Sequence, residues 1–280
     1  MENIKELIDQ LIGIIGRYPS VAVAYSGGVD SAVVLRAALM ASSKVHGVIF
    51  HTMLHPMEET SEAVKLAKEM GAAVQVIEVD EFTNPAITDN PPDRCYHCKH
   101  MLFTKLKAYA REHELEVVMD GTNGDDLNQY RPGLRALKEL EVVSPLAQMG
   151  LDKQQVRLMA KELGLPVSVS DKPSAPCLAT RLPYNTPFDR EVLDRIARGE
   201  EYLKACGFQT VRLRLHGDIA RLEIPKVDFG LFLEQAEGIA SQLKKLGFTY
   251  ITLDLEGFRS GSMDYYILRG MDTGGANGEE

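Results

Sequence analysis

Three cysteines occupy sequence contexts in which thiols can do chemistry. Cys95 and Cys98 form a C-x-x-C pair in PPDRCYHCKHMLF, where a proline-rich loop runs into a predicted helix, and Cys177 lies in DKPSAPCLATRLPYNTPF. Thiolates at a helix start can hold a metal, and an iron–sulfur cluster with three protein thiolates has one iron open to an exogenous sulfide or substrate. The residues alone also allow a zinc site completed by His97 or His100, or a redox pair.

A glycine turn follows the first apolar run of the chain. Residues 21–25 (VAVAY) predict a strand, and DSAVVLRAALM after the turn predicts a helix, so a phosphate at the turn would meet backbone N–H groups and the helix dipole. Glycines permit close backbone approach, serine hydroxyls can bond phosphate oxygens, and an aspartate can orient the loop or hold Mg²⁺. The candidate residues are Ser26, Gly27, Gly28, Asp30 and Ser31. A plain turn with a helix cap would use the same residue types.

The segment DGTNGDD at residues 120–126 follows the fourth predicted strand and forms a second loop at the same sheet edge, with Gly121 as its candidate ligand contact. Such dipeptides are common in turns, so this loop is a weak signal by itself. Neither G-x-x-x-x-G-K-[ST] nor G-x-G-x-x-G occurs, which disfavours a P-loop NTPase and a dinucleotide oxidoreductase.

Apolar strands alternate with amphipathic helices through the first half of the chain. This order predicts an α/β domain with a doubly wound, mostly parallel sheet covered on both faces, over residues 1–182. The strands are predicted over 21–25, 45–53, 73–79, 115–120 and 141–143, and helices over 57–70, 99–113, 133–140 and 152–163.

Prolines at positions 173, 176, 183 and 187 predict an ordered loop over 171–188 that leads into a smaller α+β domain, residues 183–266. That domain is predicted to surround an antiparallel hairpin with a turn at 217–218. Its helices are predicted over 189–205 and 228–246, and its strands over 210–216, 219–224 and 249–255. Residues 267–280 are predicted to form a flexible tail.

Charged residues alternate along the predicted hairpin of the second domain. Arg212 and Arg214 are two apart and therefore project from one strand face, and Arg221 and Glu223 alternate in the same way after the turn. Two guanidiniums on one face suit a phosphate, although cross-strand pairs of arginine and glutamate on a solvated face would give the same pattern. Glu223 could hold a metal or orient an arginine.

Two further residues near these motifs have open roles. Arg181, close after Cys177, could meet a substrate carboxylate or AMP, or pair with Asp171. Cys206, beside Gly207 at the end of a predicted helix, is interpreted as a small packing residue.

The overall composition indicates an ordinary globular protein and leaves small anions as candidate ligands. The chain has 280 residues with 31 basic and 40 acidic side chains, and acidic residues outnumber basic ones on both sides of Leu182, so a large nucleic-acid surface is not expected. Four cysteines are too few for a disulfide scaffold. We expect a cytoplasmic protein, because no membrane span or signal peptide is evident in the sequence.

The SGGVDS turn after a buried strand resembles the pyrophosphate loop of the PP-loop ATP pyrophosphatases. These enzymes cleave ATP between the α and β phosphates and pass AMP to a substrate oxygen. The resemblance implies ATP and Mg²⁺ as cofactors and the adenine nucleotide α-hydrolase-like fold.

Together, SGGVDS, CYHCK, DLNQYRPGL, KPSAPCLATRLPY and VRLRLHGDIARLEIP make the chain similar to the LarE family up to about residue 264. Members are ATP-dependent sulfur transferases of nickel-pincer nucleotide synthesis, and their product serves lactate racemase and related nickel enzymes. They adenylylate a carboxylate of pyridinium-3,5-biscarboxylic acid mononucleotide and convert it to a thiocarboxylate. Similar arginines bind phosphate in the family, which implies that role for Arg212 and Arg214, and the resemblance also suggests a homo-oligomer such as a hexamer.

The family has two sulfur sources, and the cysteine pattern distinguishes them. Members with a single cysteine at the position of Cys177 give up its own sulfur, whereas members with two additional cysteines hold a [4Fe-4S] cluster by three thiolates. The resemblance therefore implies the cluster type, with Cys95, Cys98 and Cys177 as ligands and an unknown sulfide donor. The alternatives are a PP-loop tRNA thiolase with a three-cysteine cluster, an ammonia-using amide synthetase, and a non-enzymatic metal or sulfur carrier that binds ATP as a regulator.

Overall fold

The computed structural model describes residues 3–55, 57–127, 131–170, 176–259 and 261–263. The chain divides into two compact units, the first built from Met1–Glu81 and Asp93–Ala175 and the second from Phe82–Pro92 and Pro176–Glu280. Part of the predicted proline loop (171–175), the Asp171 partner considered for Arg181, and the predicted tail lie outside the described residues.

A four-stranded parallel sheet forms the centre of the first unit, which confirms the predicted doubly wound α/β fold. The strands are β1 (Ser20–Ala24), β2 (Lys44–His51), β3 (Ala73–Glu78) and β4 (Val117–Met119), in the spatial order β3-β2-β1-β4. The chain therefore builds the sheet outward from β1 to β3 and then returns to place β4 on the other side of β1. The carboxyl ends of β1 and β4 flank the point at which the strand order reverses, where open α/β sheets bind ligands.

Helices cover both faces of this sheet because alternate strand residues point to opposite sides. Val21 and Val23 of β1 belong to a core that includes side chains of the helices Ile4–Ile15, Val29–Ala41 and Lys153–Glu162, while Ala22 belongs to a core that includes side chains of the helix Arg94–Glu112. The helices of this unit are α1 (Ile4–Ile15), α2 (Val29–Ala41), α3 (Met57–Glu69), α5 (Arg94–Glu112), α6 (Gly124–Leu127), α7 (Gly133–Glu139), α8 (Pro145–Gln148), α9 (Lys153–Glu162) and α10 (Val167–Ser170).

Two elements of the first unit differ from the prediction. Helix α5 begins at Arg94 instead of residue 99, so both cysteines of the C-x-x-C pair lie on the helix itself. The strand predicted over 141–143 is reduced to one parallel bridge between Val143 and Met119. A single bridge leaves the segment as a connection, because no further ladder bonds extend it.

The second unit contains a three-stranded sheet in the order β5-β6-β7, with β5 (Arg212–His216), β6 (Ile219–Glu223) and β7 (Tyr250–Leu253). The hairpin β5–β6 is antiparallel as predicted, and β7 pairs parallel to β6. The helix predicted over 228–246 is divided at Gln235 into two helices. The helices of this unit are α4 (Pro85–Thr88), α11 (Arg190–Ala205), α12 (Phe229–Glu234) and α13 (Ala236–Lys245), with short 3₁₀ helices at Leu178–Arg181 and Lys226–Asp228. A further 3₁₀ helix, Glu81–Thr83, begins at the last residue of the first unit's N-terminal segment.

Within the part of the chain that the structure describes, no helix has the length and apolarity to cross a bilayer.

Candidate active site

The turn between β1 and α2 is closed by its two serines. The Ser26 backbone N–H donates to Ser31 Oγ at 3.2 Å, Ser31 Oγ donates to the Gly28 carbonyl at 3.0 Å, and the two hydroxyl oxygens are 3.2 Å apart. Gly27 has φ +74°, and a Cβ there would lie 2.9 Å from the Ala63 Cβ, so both conformation and space require glycine. The turn therefore presents hydroxyls and backbone N–H groups at the N-terminus of a 13-residue helix, a favourable setting for a phosphate.

The loop after β4 lies directly against this turn. A Cβ added to Gly121 would be 2.6 Å from the Ser31 backbone nitrogen and 2.9 Å from its Cα. Such distances are too short for any side chain, so the close approach of the two loops requires a glycine at position 121. The structure thus brings the predicted residues of both loops together at the topological switch point of the sheet.

Asp30, at the start of α2, is held between two side chains from other loops. Asn123 Nδ2 donates to Asp30 Oδ1 at 3.2 Å, and the Lys153 ammonium pairs with Asp30 Oδ2. Lys153 is fixed in turn by its own backbone N–H, which donates to Asp125 Oδ2 at 2.9 Å. The Asp30 and Lys153 side chains are 20% and 31% exposed, so both charges are accessible to a ligand.

Asp120 directly follows β4, and its carboxylate is buried. It accepts hydrogen bonds of 2.5 Å from both Thr122 Oγ1 and Ser144 Oγ, and Lys99 Nζ lies 3.8 Å from its Oδ2. Because Lys99 directly follows Cys98 in the chain, this contact places the start of α5 at the same sheet edge as the glycine turn. The C-x-x-C pair and the two loops after β1 and β4 are therefore at the same edge of the sheet.

The first turns of α5 carry Cys95, which is exposed, and Cys98, which is half-buried. Arg94 donates to Cys95 Sγ at 3.8 Å and so places a positive charge beside that sulfur. Helix α7 packs closely here, because a Cβ on Gly133 would lie 3.3 Å from the Cys95 carbonyl oxygen and 2.8 Å from Lys99 Cδ. Arg135 of the same helix stacks on the ring of Tyr96 at 3.6 Å, and Tyr96 hydroxyl donates to Glu139 at 2.8 Å.

His97 and His100, the predicted alternative zinc ligands, both contact the Tyr96 ring, and His97 Nε2 is 3.3 Å from Asp93 Oδ2. Across the described residues, no three histidine, cysteine or acidic side chains are gathered as a metal site.

In the second unit, Cys177 opens a 3₁₀ turn that is held by Arg181. The Thr180 backbone N–H and hydroxyl both donate to the Cys177 carbonyl, at 3.0 and 2.8 Å. Arg181 is 4% exposed and binds both carboxylate oxygens of Glu200 at 2.8 and 2.9 Å, while its NH1 donates to the Pro176 carbonyl at 3.0 Å. Arg181 is thus engaged by protein groups on every side of its guanidinium.

The predicted arginine face is formed by the β5–β6 hairpin. The register places Arg212 opposite Glu223 and Arg214 opposite Arg221. Glu223 is fully buried, with Arg214 at 3.1 Å and Arg221 at 2.9 Å on its two oxygens and the Ser262 hydroxyl at 2.7 Å. Its carboxylate therefore orients arginines in this structure.

Arg212 is placed differently from Arg214. It is half-buried, donates to the Val211 carbonyl at 2.8 Å, and lies over the Phe258 ring at 5.3 Å. Burial lowers the pKa of Arg212 and Arg214, and the neighbouring Arg181 lowers it further, yet a guanidinium stays protonated. The clustered positive charge on this face is suited to a phosphate.

The remaining cysteine, Cys206, ends α11, and its carbonyl accepts a 3.5 Å hydrogen bond from Gln235.

Sequence reasoning missed Lys153 and Glu200, and it gave Asn123 no role of its own. Asn123 lies in the second loop, which the DGTNGDD segment indicates as a whole. Lys153 and Glu200 occupy ordinary helix positions, and no local motif distinguishes them from surface charges.

Some of these side chains have the donor atoms that Mg²⁺ and an iron–sulfur cluster, the two groups implied by the resemblance, would need. Mg²⁺ is usually held by one or two carboxylates together with substrate phosphates, and Asp30 beside the glycine turn fits that arrangement. Cys95 and Cys98 fit two ligands of an iron–sulfur cluster in residue type and in their spacing of one helical turn. The convergence of Cys177 with them stays a prediction.

Comparison with known proteins places these features in a family. Residues 1–112 match the NAD synthase family model. The chain is 39% identical over 246 residues to the pyridinium-3,5-bisthiocarboxylic acid mononucleotide synthase of Lactiplantibacillus plantarum, covering 87% of this chain and 88% of that protein. It is 37% identical over 266 residues to an uncharacterized protein of Synechocystis, covering 94% and 98%. A glutamine-hydrolyzing GMP synthase of Aeropyrum pernix is 27% identical over 223 residues, covering 72% of this chain and 42% of the synthase.

Proposed function

The chain belongs to the LarE family of ATP-dependent sulfur transferases, and from this membership we propose its substrate and reaction. It adenylylates the carboxylates of pyridinium-3,5-biscarboxylic acid mononucleotide and converts them to thiocarboxylates for the nickel-pincer nucleotide cofactor. The observation that carries the proposal is the 39% identity over 246 residues, which is longer than the nucleotide-binding half and therefore includes the second unit.

The reaction needs activation because a carboxylate loses its oxygen poorly. A carboxylate oxygen attacks the α-phosphorus of ATP, the bond to the bridging oxygen breaks, and pyrophosphate leaves with the electron pair. Sulfide then attacks the acyl carbon, and AMP leaves with the electrons of the carbon–oxygen bond. Each cycle therefore forms one thiocarboxylate, one AMP and one pyrophosphate.

The residues at the switch point support the first step. The N–H groups and hydroxyls of loop 26–31 stabilise the charge on the departing pyrophosphate, and Lys153 adds a cation beside them. Asp30 would hold Mg²⁺, which supplies charge neutralisation for the phosphates when bound. Gly121 keeps the second loop close enough to complete the nucleotide site.

For the second step, we assign Cys95, Cys98 and Cys177 as ligands of a [4Fe-4S] cluster. Such a cluster, held by three thiolates, supplies an open iron that can carry an exogenous sulfide. The support is the presence of all three cysteines and the position of the first two at the sheet edge that carries the glycine turn.

Arg212 and Arg214 are proposed to bind the mononucleotide phosphate of the substrate. Arg212 is the better placed of the two, because Arg214 is buried against Glu223. We further propose that residues 1–182 carry the nucleotide chemistry and that 183–266 bind substrate and form a cytoplasmic homo-oligomer.

A second candidate is an ammonia-using amide synthetase, which the match of residues 1–112 to the NAD synthase family model and the 223-residue similarity to a GMP synthase favour. One experiment separates the two. The purified protein is incubated anaerobically with ATP, Mg²⁺ and the biscarboxylate mononucleotide, with either sulfide or ammonia, and pyrophosphate and product mass are measured. The proposal predicts substrate-dependent pyrophosphate release and a thiocarboxylate with sulfide. The proposal is contradicted if an amide is the sole product, or if pyrophosphate is released at the same rate without the biscarboxylate mononucleotide.

A further inference from the structure

Both peptide groups that flank Cys177 are held by the same buried ion pair. We propose that Arg181 and Glu200 are positioning residues that fix the backbone of Cys177, so that its thiol is aimed for the sulfur-transfer step. The inference rests on the proposed function, because it assigns a purpose to the placement of that thiol.

The first contacts are those of the Arg181 guanidinium. Its Nε and NH2 bind the two oxygens of Glu200 at 2.8 and 2.9 Å, which is the bidentate geometry that fixes a guanidinium plane. The remaining nitrogen, NH1, donates to the Pro176 carbonyl at 3.0 Å and approaches the Cys177 carbonyl at 3.4 Å. The guanidinium therefore acts as a rigid bridge between α11 and the cysteine.

The second contacts come from Thr180. Its hydroxyl accepts from Arg181 NH1 at 2.9 Å and donates to the Cys177 carbonyl at 2.8 Å, and its backbone N–H donates to the same carbonyl at 3.0 Å. Arg214 NH1 holds the Thr180 carbonyl at 2.8 Å. The turn is thus attached to strand β5 as well as to helix α11.

These contacts restrict the backbone torsion angles of Cys177. The Pro176 carbonyl belongs to the peptide before Cys177, and the Cys177 carbonyl belongs to the peptide after it. With both peptide planes fixed, φ and ψ of Cys177 are set at −57° and 151°. The thiol can then move only by rotation about the Cα–Cβ bond of Cys177. A group that must meet a reacting partner needs to be positioned in this way.

Stability alone does not account for the pair. Glu200 lies in the middle of α11 with 4% exposure, and Arg181 is equally buried. A buried ion pair contributes little compared with well-packed apolar side chains, because both charges lose their hydration. An apolar pair would lack the N–H groups that Arg181 directs at the carbonyls of Pro176 and Cys177.

The experiment compares three variants in the full-length protein. Glu200→Gln removes the negative charge that pairs with Arg181 but keeps an oxygen acceptor for the Leu213 N–H, which donates to Glu200 at 2.9 Å. Thr180→Val removes only the hydroxyl and leaves no buried charge without a partner. Asp194→Asn is the matched control, because Asp194 lies on the same helix and pairs only at the surface with Arg198 at 3.5 Å.

Two quantities are measured for each folded variant. The first is amide hydrogen exchange of residues 178–182 in the metal-free protein, which does not depend on enzyme activity. We expect about tenfold or faster exchange in Glu200→Gln and Thr180→Val, since each loses part of the network that closes the turn, and no change in the control. The second is the ratio of thiocarboxylate formed to pyrophosphate released, which should fall severalfold in the same two variants.

Three results would overturn the inference. Exchange at the wild-type rate in both variants means that the pair does not hold the turn. Faster exchange with an unchanged product ratio means that the pair serves the fold alone. A wild-type protein that forms no thiocarboxylate refutes the proposed function and with it any sulfur role for the turn, whereas in the first two cases the wild type remains active.

Discussion

Replacing Gly121 by alanine should disrupt the nucleotide site without touching any charged group. The new Cβ would stand 2.6 Å from the Ser31 nitrogen and 2.9 Å from the Ser31 Cα, and both are backbone atoms that cannot rotate away. Ordinary contact begins at 3.4 Å, so one of the loops must move by about 0.8 Å, the difference between 3.4 and 2.6 Å. Overpacking of this kind costs about 1–3 kcal/mol of stability.

The functional effect should exceed the loss of stability. Displacement of a catalytic loop by roughly 1 Å lowers activity by about 10²-fold, so kcat/KM for ATP in substrate-dependent pyrophosphate release should fall by about that factor. Urea unfolding should show the 1–3 kcal/mol loss.

Gly13→Ala is the control for the glycine replacement. Gly13 is exposed on α1 with nothing within 4 Å of the added Cβ, and this change should stabilise the protein by about 0.5–1 kcal/mol and leave activity unchanged. A Gly121→Ala protein with wild-type stability and activity would refute the loop placement on which the site rests.

Three further changes test other parts of the structure. Lys153→Gln removes the cation paired with Asp30 and should lower kcat/KM for ATP about 10²-fold in the pyrophosphate assay, and an unchanged kcat/KM would exclude Lys153 from the site. Glu223→Gln leaves the buried Arg214 without a full counter-charge and should cost about 3 kcal/mol in urea unfolding; a cost below about 1 kcal/mol would argue against that pairing. Burial and the nearby Arg221 lower the pKa of His216 below its ordinary 6.5. As the pH drops through 6.5, His216 is therefore protonated more readily in the unfolded chain than in the folded protein. Stability should therefore fall as pH drops below 6.5, and less steeply in His216→Gln, which urea titrations at several pH values will show.

The nucleotide half was predictable because its signals are local. Apolar strands followed by helices indicate a parallel sheet, and the turn between residues 26 and 31 indicates the ligand edge before any contact is known. The start of α5 at Arg94 was missed because the prolines at 91 and 92 predicted a loop that ends later than it does.

The arrangement of the second unit was less predictable, because its features depend on contacts between distant residues. The helix predicted over 228–246 divides at Gln235 although its composition suits one helix. The pairing of Arg181 with Glu200 and the contact between Asp30 and Lys153 join residues 19 and 123 positions apart. Neither spacing produces a repeating pattern in the sequence, so these partners emerge only when the chain is folded.

The assignment of Cys95, Cys98 and Cys177 as cluster ligands is tested most directly by counting iron and turnovers in the same anaerobic preparation. Wild-type protein should contain iron and acid-labile sulfide and should form many thiocarboxylates per chain when sulfide is supplied. Alanine at any of the three positions should remove both the iron and the repeated turnover, while Cys206→Ala, the control at the end of α11, should keep both. A colourless, iron-free wild type that still turns over many times would contradict the account.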